Sequence, residues 1–384
     1  MRYYIIAGEA SGDLHGSNLM RGLYKEDPEA DIRFWGGGFM DSVYHEHQQG
    51  EGMVMDYKAG AVMGLGGVLK QVFSLSKKLR LAKADISAWK PDAVILIDYP
   101  GFNFRVAKFA HGAGFPVYYY IAPKVWATRE GRIKKLKAWV DRLFIVFPFE
   151  IPYFKSKGVP FTYVGNPLVD AVDASPAMKE SRETFLQRTG LPDAPFIALL
   201  AGSRNGEISS MMPPFMEFAD KWHEAHPEHH FVVAAAPSRT MDDYAKYLGD
   251  RDFVHVIFGE TYGTLRHAEA AVINSGTASL EAAIIGTPQV VTYRIDAITY
   301  FLYKLMIKIP YVSLANLIVE REAFRELLQD DFTPENVFSE MERLTMDSAY
   351  RERMLSDYAE VRRLLGSVGA SATAAREMIS TLKH

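Results

Sequence analysis

The feature that most constrains this chain is a rhythm: short apolar runs of β type alternate with longer helical stretches from end to end. Val94-Ile95-Leu96-Ile97 is continuously apolar rather than alternating, the mark of a parallel strand covered on both faces. Strands are expected at 3–7, 31–35, 93–97, 116–120, 142–146 and 161–164, with helices near 13–24, 66–88, 102–113, 129–139 and 148–157. The second half repeats the pattern, with strands at 196–200, 230–235, 253–257, 270–273 and 289–292. This alternation predicts an α/β fold with doubly wound parallel sheets, twice over. A length of 384 residues also predicts two domains. A turn-rich, charged seam near 167–190 separates them, and the β signals stop after Asp330. The expected divisions are 1–170, 171–345, and a helical tail at 346–384 that packs back across the chain or against a partner. Two such domains face a cleft, and open α/β sheets bind ligands at the carboxyl ends of their strands.

Composition narrows the function. The chain is 48% apolar and 23% charged, which excludes intrinsic disorder. A formal net charge of −4 carries no electrostatic footprint for nucleic acid. With no cysteine, disulfides, thiolate metal sites and cysteine nucleophiles are excluded. The eleven histidines include no HExxH motif, so no metal site is expected. The chain runs straight into Tyr3-Tyr4-Ile5-Ile6-Ala7, and no stretch approaches ~18 uninterrupted apolar residues. A cytoplasmic location follows as the expectation.

Four strand ends carry candidate chemistry. Gly8-Glu9-Ala10-Ser11-Gly12-Asp13 closes the first strand, with Ser11 and Asp13 as candidate helix caps and Glu9 at the strand tip. Asp98 ends the most apolar strand, where partial desolvation raises a carboxyl toward general-base range. In Ala201-Gly202-Ser203-Arg204-Asn205-Gly206-Glu207, a hydroxyl, an arginine and backbone N–H groups before a helix suit a phosphate. In Asn274-Ser275-Gly276-Thr277-Ala278-Ser279-Leu280-Glu281, Ser275, Gly276 and Thr277 suit a diphosphate. Glu281, one turn beyond Thr277, suits the hydroxyls of a ribose. Each motif also fits a plain capped turn. Three stretches mix apolar residues with cations: 62–80, 300–308 and the basic run of Arg129, Arg132, Lys134, Lys135 and Lys137. Each reads either as an ordinary helix or as a surface for lipid. In the first, Met63, Val68, Leu69, Val72 and Phe73 are the candidate membrane and acyl contacts.

GEASGD, IDYPGFN, YIAPKVWA, YVGNPL, GSRNGEI, SGTASLE and YVSLANL occur in this order. Together they resemble the lipid-A-disaccharide synthase family, over essentially the whole chain. Two positions depart from the family pattern. Ala315 stands where proline is usual, and Lys124-Val125-Trp126-Ala127-Thr128 lacks the common second tryptophan.

The resemblance implies a GT-B fold whose first domain serves the lipid acceptor and whose second binds a UDP-sugar. It implies transfer of 2,3-diacylglucosamine from UDP to 2,3-diacylglucosamine 1-phosphate, inverting and without metal or other cofactor. Glu9, Asp98, Arg204, Glu281 and Asn316 are its functional positions in this sequence. Peripheral attachment to the inner membrane and dimers made by exchange of C-terminal elements are implied as well. Two rivals stay open: a UDP-N-acetylglucosamine 2-epimerase-like hydrolase of the same architecture, and a non-catalytic lipid-binding protein.

Overall fold

The apolar runs become parallel strands. In β4 (Ala93–Ile97) all five residues are buried, and its neighbours β1 (Arg2–Ala7) and β5 (Val117–Tyr120) are buried nearly throughout. A computed structural model describes residues 1–57, 68–127, 130–295 and 310–383, the side chains of 68–74 excepted. The chain divides into two units, Met1–Ala171 with Leu365–His384, and Val172–Leu364.

The first unit is built on a seven-stranded sheet in the order β3-β2-β1-β4-β5-β6-β7. Its remaining strands are β2 (Asp31–Gly36), β3 (Met53–Asp56), β6 (Arg142–Ile145) and β7 (Thr162–Tyr163). Register is set at the centre, where Ile5 pairs with Phe34 on one side and Ile95 on the other. Tyr4, Leu96, Phe102, Val106 and Tyr119 belong to one apolar cluster, which joins β1, β4, β5 and the helix Pro100–Gly112.

The second unit carries a six-stranded parallel sheet, β10-β9-β8-β11-β12-β13. Its strands are β8 (Phe196–Leu200), β9 (His230–Ala235), β10 (Val254–Phe258), β11 (Ala270–Asn274), β12 (Gln289–Tyr293) and β13 (Glu326–Leu328). The stretch 346–384, expected as one tail, divides at 364/365. The helix Ser348–Leu365 falls almost wholly in the second unit, whereas Ala370–Leu382 lies on the helix Ala10–Glu26 of the first. Gly22 makes that docking close: a Cβ there would lie 2.9 Å from the Ser371 carbonyl oxygen and 3.1 Å from Ala375 Cβ. Asp170 fixes the start of the terminal helix by accepting from the Gly369 and Ser371 N–H groups.

Two short edge strands, β3 and β13, and the helix Gly38–His47 were not expected from the sequence. Among the described residues no helix is long and apolar enough to cross a membrane.

Candidate active site

Each sheet reverses its winding at one point. In the first unit the reversal lies between β1 and β4, in the second between β8 and β11. Open α/β sheets take their ligands outside the carboxyl ends of the strands at this switch point. Glu9 follows β1, Asp98 follows β4, Arg204 follows β8, and Ser275, Gly276 and Thr277 follow β11. Four separate strand ends thus reduce to two places.

At the first, Asp98 and Tyr99 both adopt left-handed backbone angles, φ 40° and 45°. For residues with a side chain this conformation costs roughly 1–3 kcal/mol each, so the surroundings must over-determine it. They do. Asn103 Nδ2 donates to the carbonyls of Ile97 (3.1 Å) and Asp98 (2.8 Å), and Tyr119 Oη donates to the same Asp98 carbonyl at 2.6 Å. Pro100 then starts the helix, its ring replacing an N–H that would have no partner. The result is a sharp elbow that leaves Asp98 half-buried at the head of the strand. Burial pushes its carboxyl above the ordinary aspartate range; Lys124 and Arg132 oppose the shift and Glu9 adds to it.

Glu9 is exposed beside it, in extended conformation at the start of the helix Ala10–Glu26. A cavity of about 230 Å³ opens there, walled by Trp35, Met55, Tyr57, Tyr99 and Phe102, with Glu9 and Lys78 as its charged members. Gly8 is required: a Cβ at this position would sit 2.3 Å from the Tyr99 ring.

The expected capping role of Ser11 and Asp13 is corrected, because the helix begins before both. Ser11 is an exposed first-turn residue. Asp13 is buried and serves another helix, accepting from the N–H groups of Gly37, Phe39 and Met40 at 2.8–3.1 Å.

In the second unit, Gly202 adopts φ +99° and turns the chain off β8. The expected amide cradle is corrected here too. Glu207 Oε2 already accepts from the N–H groups of Ser203 (2.9 Å) and Arg204 (3.1 Å), closing a capping box. The Arg204 guanidinium, largely exposed and 3.3 Å from Glu207, is the side chain of this loop suited to a phosphate. The Ser275 N–H is likewise used, donating to the Thr292 carbonyl at 2.8 Å. The backbone N–H groups suited to an anion therefore begin at the helix Thr277–Ile285, where Gly276 is the extended N-cap and the first N–H groups have no intrahelical acceptor.

Glu281 lies on the same helix, four residues from Thr277, and accepts from Tyr262 Oη at 2.8 Å. Burial pushes its carboxyl up, and the Tyr262 hydroxyl partly offsets this. Asn274 links the two loops, its Nδ2 reaching the Ala201 carbonyl at 3.5 Å while its buried Oδ1 has no partner.

Asn316 departs from the expectation of substrate contact. It is fully buried and spent internally: Nδ2 donates to the Phe324 carbonyl and Glu326 Oε1, both at 3.0 Å, and Oδ1 accepts from the Ala323 and Phe324 N–H groups. These bonds hold the turn 316–326.

The lipid-A-disaccharide synthetase family model matches residues 3–377. A lipid-A-disaccharide synthase of Geobacter metallireducens is 38% identical, covering 99% of this chain and 97% of its own. Its counterpart from Myxococcus xanthus is 37% identical with the same coverage. The chain belongs to the lipid-A-disaccharide synthase family. It is accordingly a glycosyltransferase of lipid A biosynthesis. Solved structures share its fold at low identity. A Neisseria meningitidis UDP-GlcNAc 2-epimerase, bound to UDP-GlcNAc, has TM-score 0.72 at 14% identity and covers 100% of both chains. A calicheamicin glycosyltransferase has TM-score 0.60 at 17% identity, covering 100% of this chain and 98% of its own. The architecture is GT-B, and family membership separates this chain from the epimerase reading.

Around these two places, one in each unit, the sequence motifs do not single out Lys124, Tyr262 and Asn274. Lys124 and Tyr262 act through residues far away in the chain, and no local spacing announces such pairs. The motifs also pass over Glu150, a buried carboxylic acid pushed up to about 7 by burial. Glu150 holds Trp126 Nε1 and the N–H groups of Val146 and Phe147, which braces the loop carrying Lys124. Of the candidate lipid contacts, Met63 lies outside the described residues. Val68, Leu69, Val72 and Phe73 fall on the helix Val68–Trp89, with their side chains outside the description. The stretch 300–308 and Arg129 also lie outside it.

Proposed function

We propose that the chain transfers 2,3-diacylglucosamine from its UDP conjugate to the 6-hydroxyl of 2,3-diacylglucosamine 1-phosphate, with inversion at the anomeric carbon. The observation that carries the reading is the Asp98 elbow: a partly desolvated carboxylate with a raised proton affinity at a switch point. Asp98 accepts the hydroxyl proton as the oxygen attacks the anomeric carbon, and the glycosidic bond to UDP breaks on the opposite face. Glu9, exposed beside the apolar cavity, orients the acceptor or shares the base role. Ser11, in the same first turn, adds a hydroxyl toward the substrate.

Glu281 accepts the ribose hydroxyls of UDP. Thr277, the neighbouring Ser275 and Gly276, and Arg204 receive the charge that develops on the diphosphate. On this scheme no metal is needed, and turnover in excess chelator should equal turnover without it. Incubation with both lipid substrates should release UDP and form a β(1→6) disaccharide 1-phosphate. UDP release without disaccharide would overturn the transfer and favour a hydrolase.

The same proposal places the enzyme at the cytoplasmic face of the inner membrane, with Met63, Val68, Leu69, Val72 and Phe73 meeting the bilayer and acyl chains. Val68→Ser with Leu69→Ser should then leave the melting temperature unchanged while reducing vesicle binding and lipid turnover. A marked fall in melting temperature, reflecting the several kcal/mol of stability typical of lost core aliphatics, would return this helix to the interior. Homodimer formation by exchange of C-terminal elements belongs to the proposal too. It would rebuild the Gly22–Ala375 seam between two copies, and light scattering at the mass of one chain would reject it.

A further inference from the structure

A second group of ionisable side chains lies at the amino-terminal end of the second unit's sheet, away from the strand ends that carry the site. The helix Asn205–Ala225 ends at His226, and Pro227 and Glu228 turn the chain into His229 and β9. The His229 N–H donates to the His226 carbonyl at 3.1 Å, closing the turn. Glu228 Oε1 consequently lies 3.1 Å from His229 Nδ1 and 4.0 Å from His226 Nδ1. One donor atom from each of the three residues falls within 4.8 Å of the others, and this is the one such group among the described residues.

The environment of His229 makes the arrangement more than a surface cluster. The residue is only 8% exposed, and its Nε2 meets Glu269 Oε2 at 2.9 Å. A carboxylate at Nε2 selects the tautomer that donates there, leaving a lone pair on Nδ1. That nitrogen is enclosed and has no hydrogen-bond partner, although a carboxylate oxygen faces it. Two acceptors in this position need a cation between them, either a proton on Nδ1 or a metal ion.

We propose that His226, Glu228 and His229 bind a divalent transition-metal ion, with Zn²⁺ the best match to two imidazoles and one carboxylate. Four-coordinate zinc with bonds of about 2.0–2.1 Å separates its ligand atoms by about 3.3 Å, a value the observed 3.1 and 4.0 Å bracket. Glu269 is the outer carboxylate that orients the buried histidine. Glu228 is exposed, so the fourth position opens to water. Arg351, the nearby cation, donates to the Glu269 carbonyl. The His-x-Glu-His spacing sits on a turn between a helix and a strand and does not follow the HExxH pattern of a helical site.

The test uses the full chain, stripped with chelator, dialysed and titrated calorimetrically with zinc chloride at neutral pH. One equivalent should bind. Glu228→Gln, an exposed change that leaves the fold intact by circular dichroism, and His226→Gln with His229→Gln should each weaken binding by at least ~10-fold. Glu269→Gln should weaken it ~10–100-fold, the usual effect of removing an outer-shell partner. Cobalt substitution should give the visible absorption of a four-coordinate ion. His255→Gln disrupts the separate pair in which His230 Nδ1 meets His255 Nε2 at 2.9 Å, and it should change nothing. Absence of stoichiometric binding would overturn the proposal and leave His229 as an imidazolium held by Glu228 and Glu269. So would binding that survives in the double variant or disappears with His255→Gln.

Discussion

The ends of β4 and β11 solve related problems in opposite ways. At β4 the backbone is strained: two consecutive residues with side chains are held at positive φ by Asn103 and Tyr119. At β11 the strand passes through Gly276 in relaxed, extended geometry into a helix start. The first arrangement aims one carboxylate and lifts its proton affinity, as a base requires. The second offers a positive helix terminus with a carboxylate one turn away, as a nucleotide grip requires. Strain therefore marks the proposed chemistry, and regular structure marks the proposed binding.

Substitutions on the two sides should separate turnover from affinity. Asp98→Asn has the largest expected effect, a loss of turnover of at least ~100-fold with UDP binding intact. Near-normal turnover would remove Asp98 from the mechanism. This variant also has a stability signature. A folded-state carboxyl whose proton affinity is raised makes the fold less stable as pH rises from the ordinary aspartate range through the raised value. Asp98→Asn should abolish that loss and melt above the parent at neutral pH. The parent's turnover should fall as pH drops through the raised Asp98 value, and Glu150→Gln should leave this limb in place.

Next is Glu281→Ala, which should weaken UDP by ~1.5–3 kcal/mol, the range for hydrogen bonds to a charged group. Calorimetry showing unchanged UDP affinity would reject the ribose role. Gly8→Ala tests the strained side indirectly. Its Cβ must displace the Tyr99 ring, so turnover should fall roughly 10-fold through misplacement of the elbow, with UDP affinity preserved. A parallel loss of both would show that the two sides are not separable in this way. The smallest effect is expected for Tyr262→Phe, which removes the donor to Glu281 and should weaken UDP by ~1 kcal/mol.

Much of this was legible in advance, and the exceptions share a cause. Every buried central strand was visible because a strand covered on both faces must be apolar throughout. The edge strands β3 and β13, four and three residues long, lack that requirement and read as loops. The helix Gly38–His47 hid behind Gly36-Gly37-Gly38, because its N-terminal partner is Asp13, distant in the chain. The family resemblance implies that Asn316 is a ligand contact. Its four internal hydrogen bonds come from Ala323, Phe324 and Glu326, which only folding brings to it.

The sequence by itself determined the two parallel sheets, the family and the strand ends to which the proposed chemistry is assigned. Periodicity and motif order are local properties that need no coordinates. Tertiary structure alone decided which of those ends stand side by side, since the order of strands within a sheet does not follow their order along the chain. It also decided which polar groups are already spent. Glu207 takes the Ser203 and Arg204 amides, Thr292 takes that of Ser275, and Asp98 gains its raised proton affinity from burial. A hydrogen bond or a desolvated charge depends on neighbours in space, and those neighbours lie tens of residues apart in the chain.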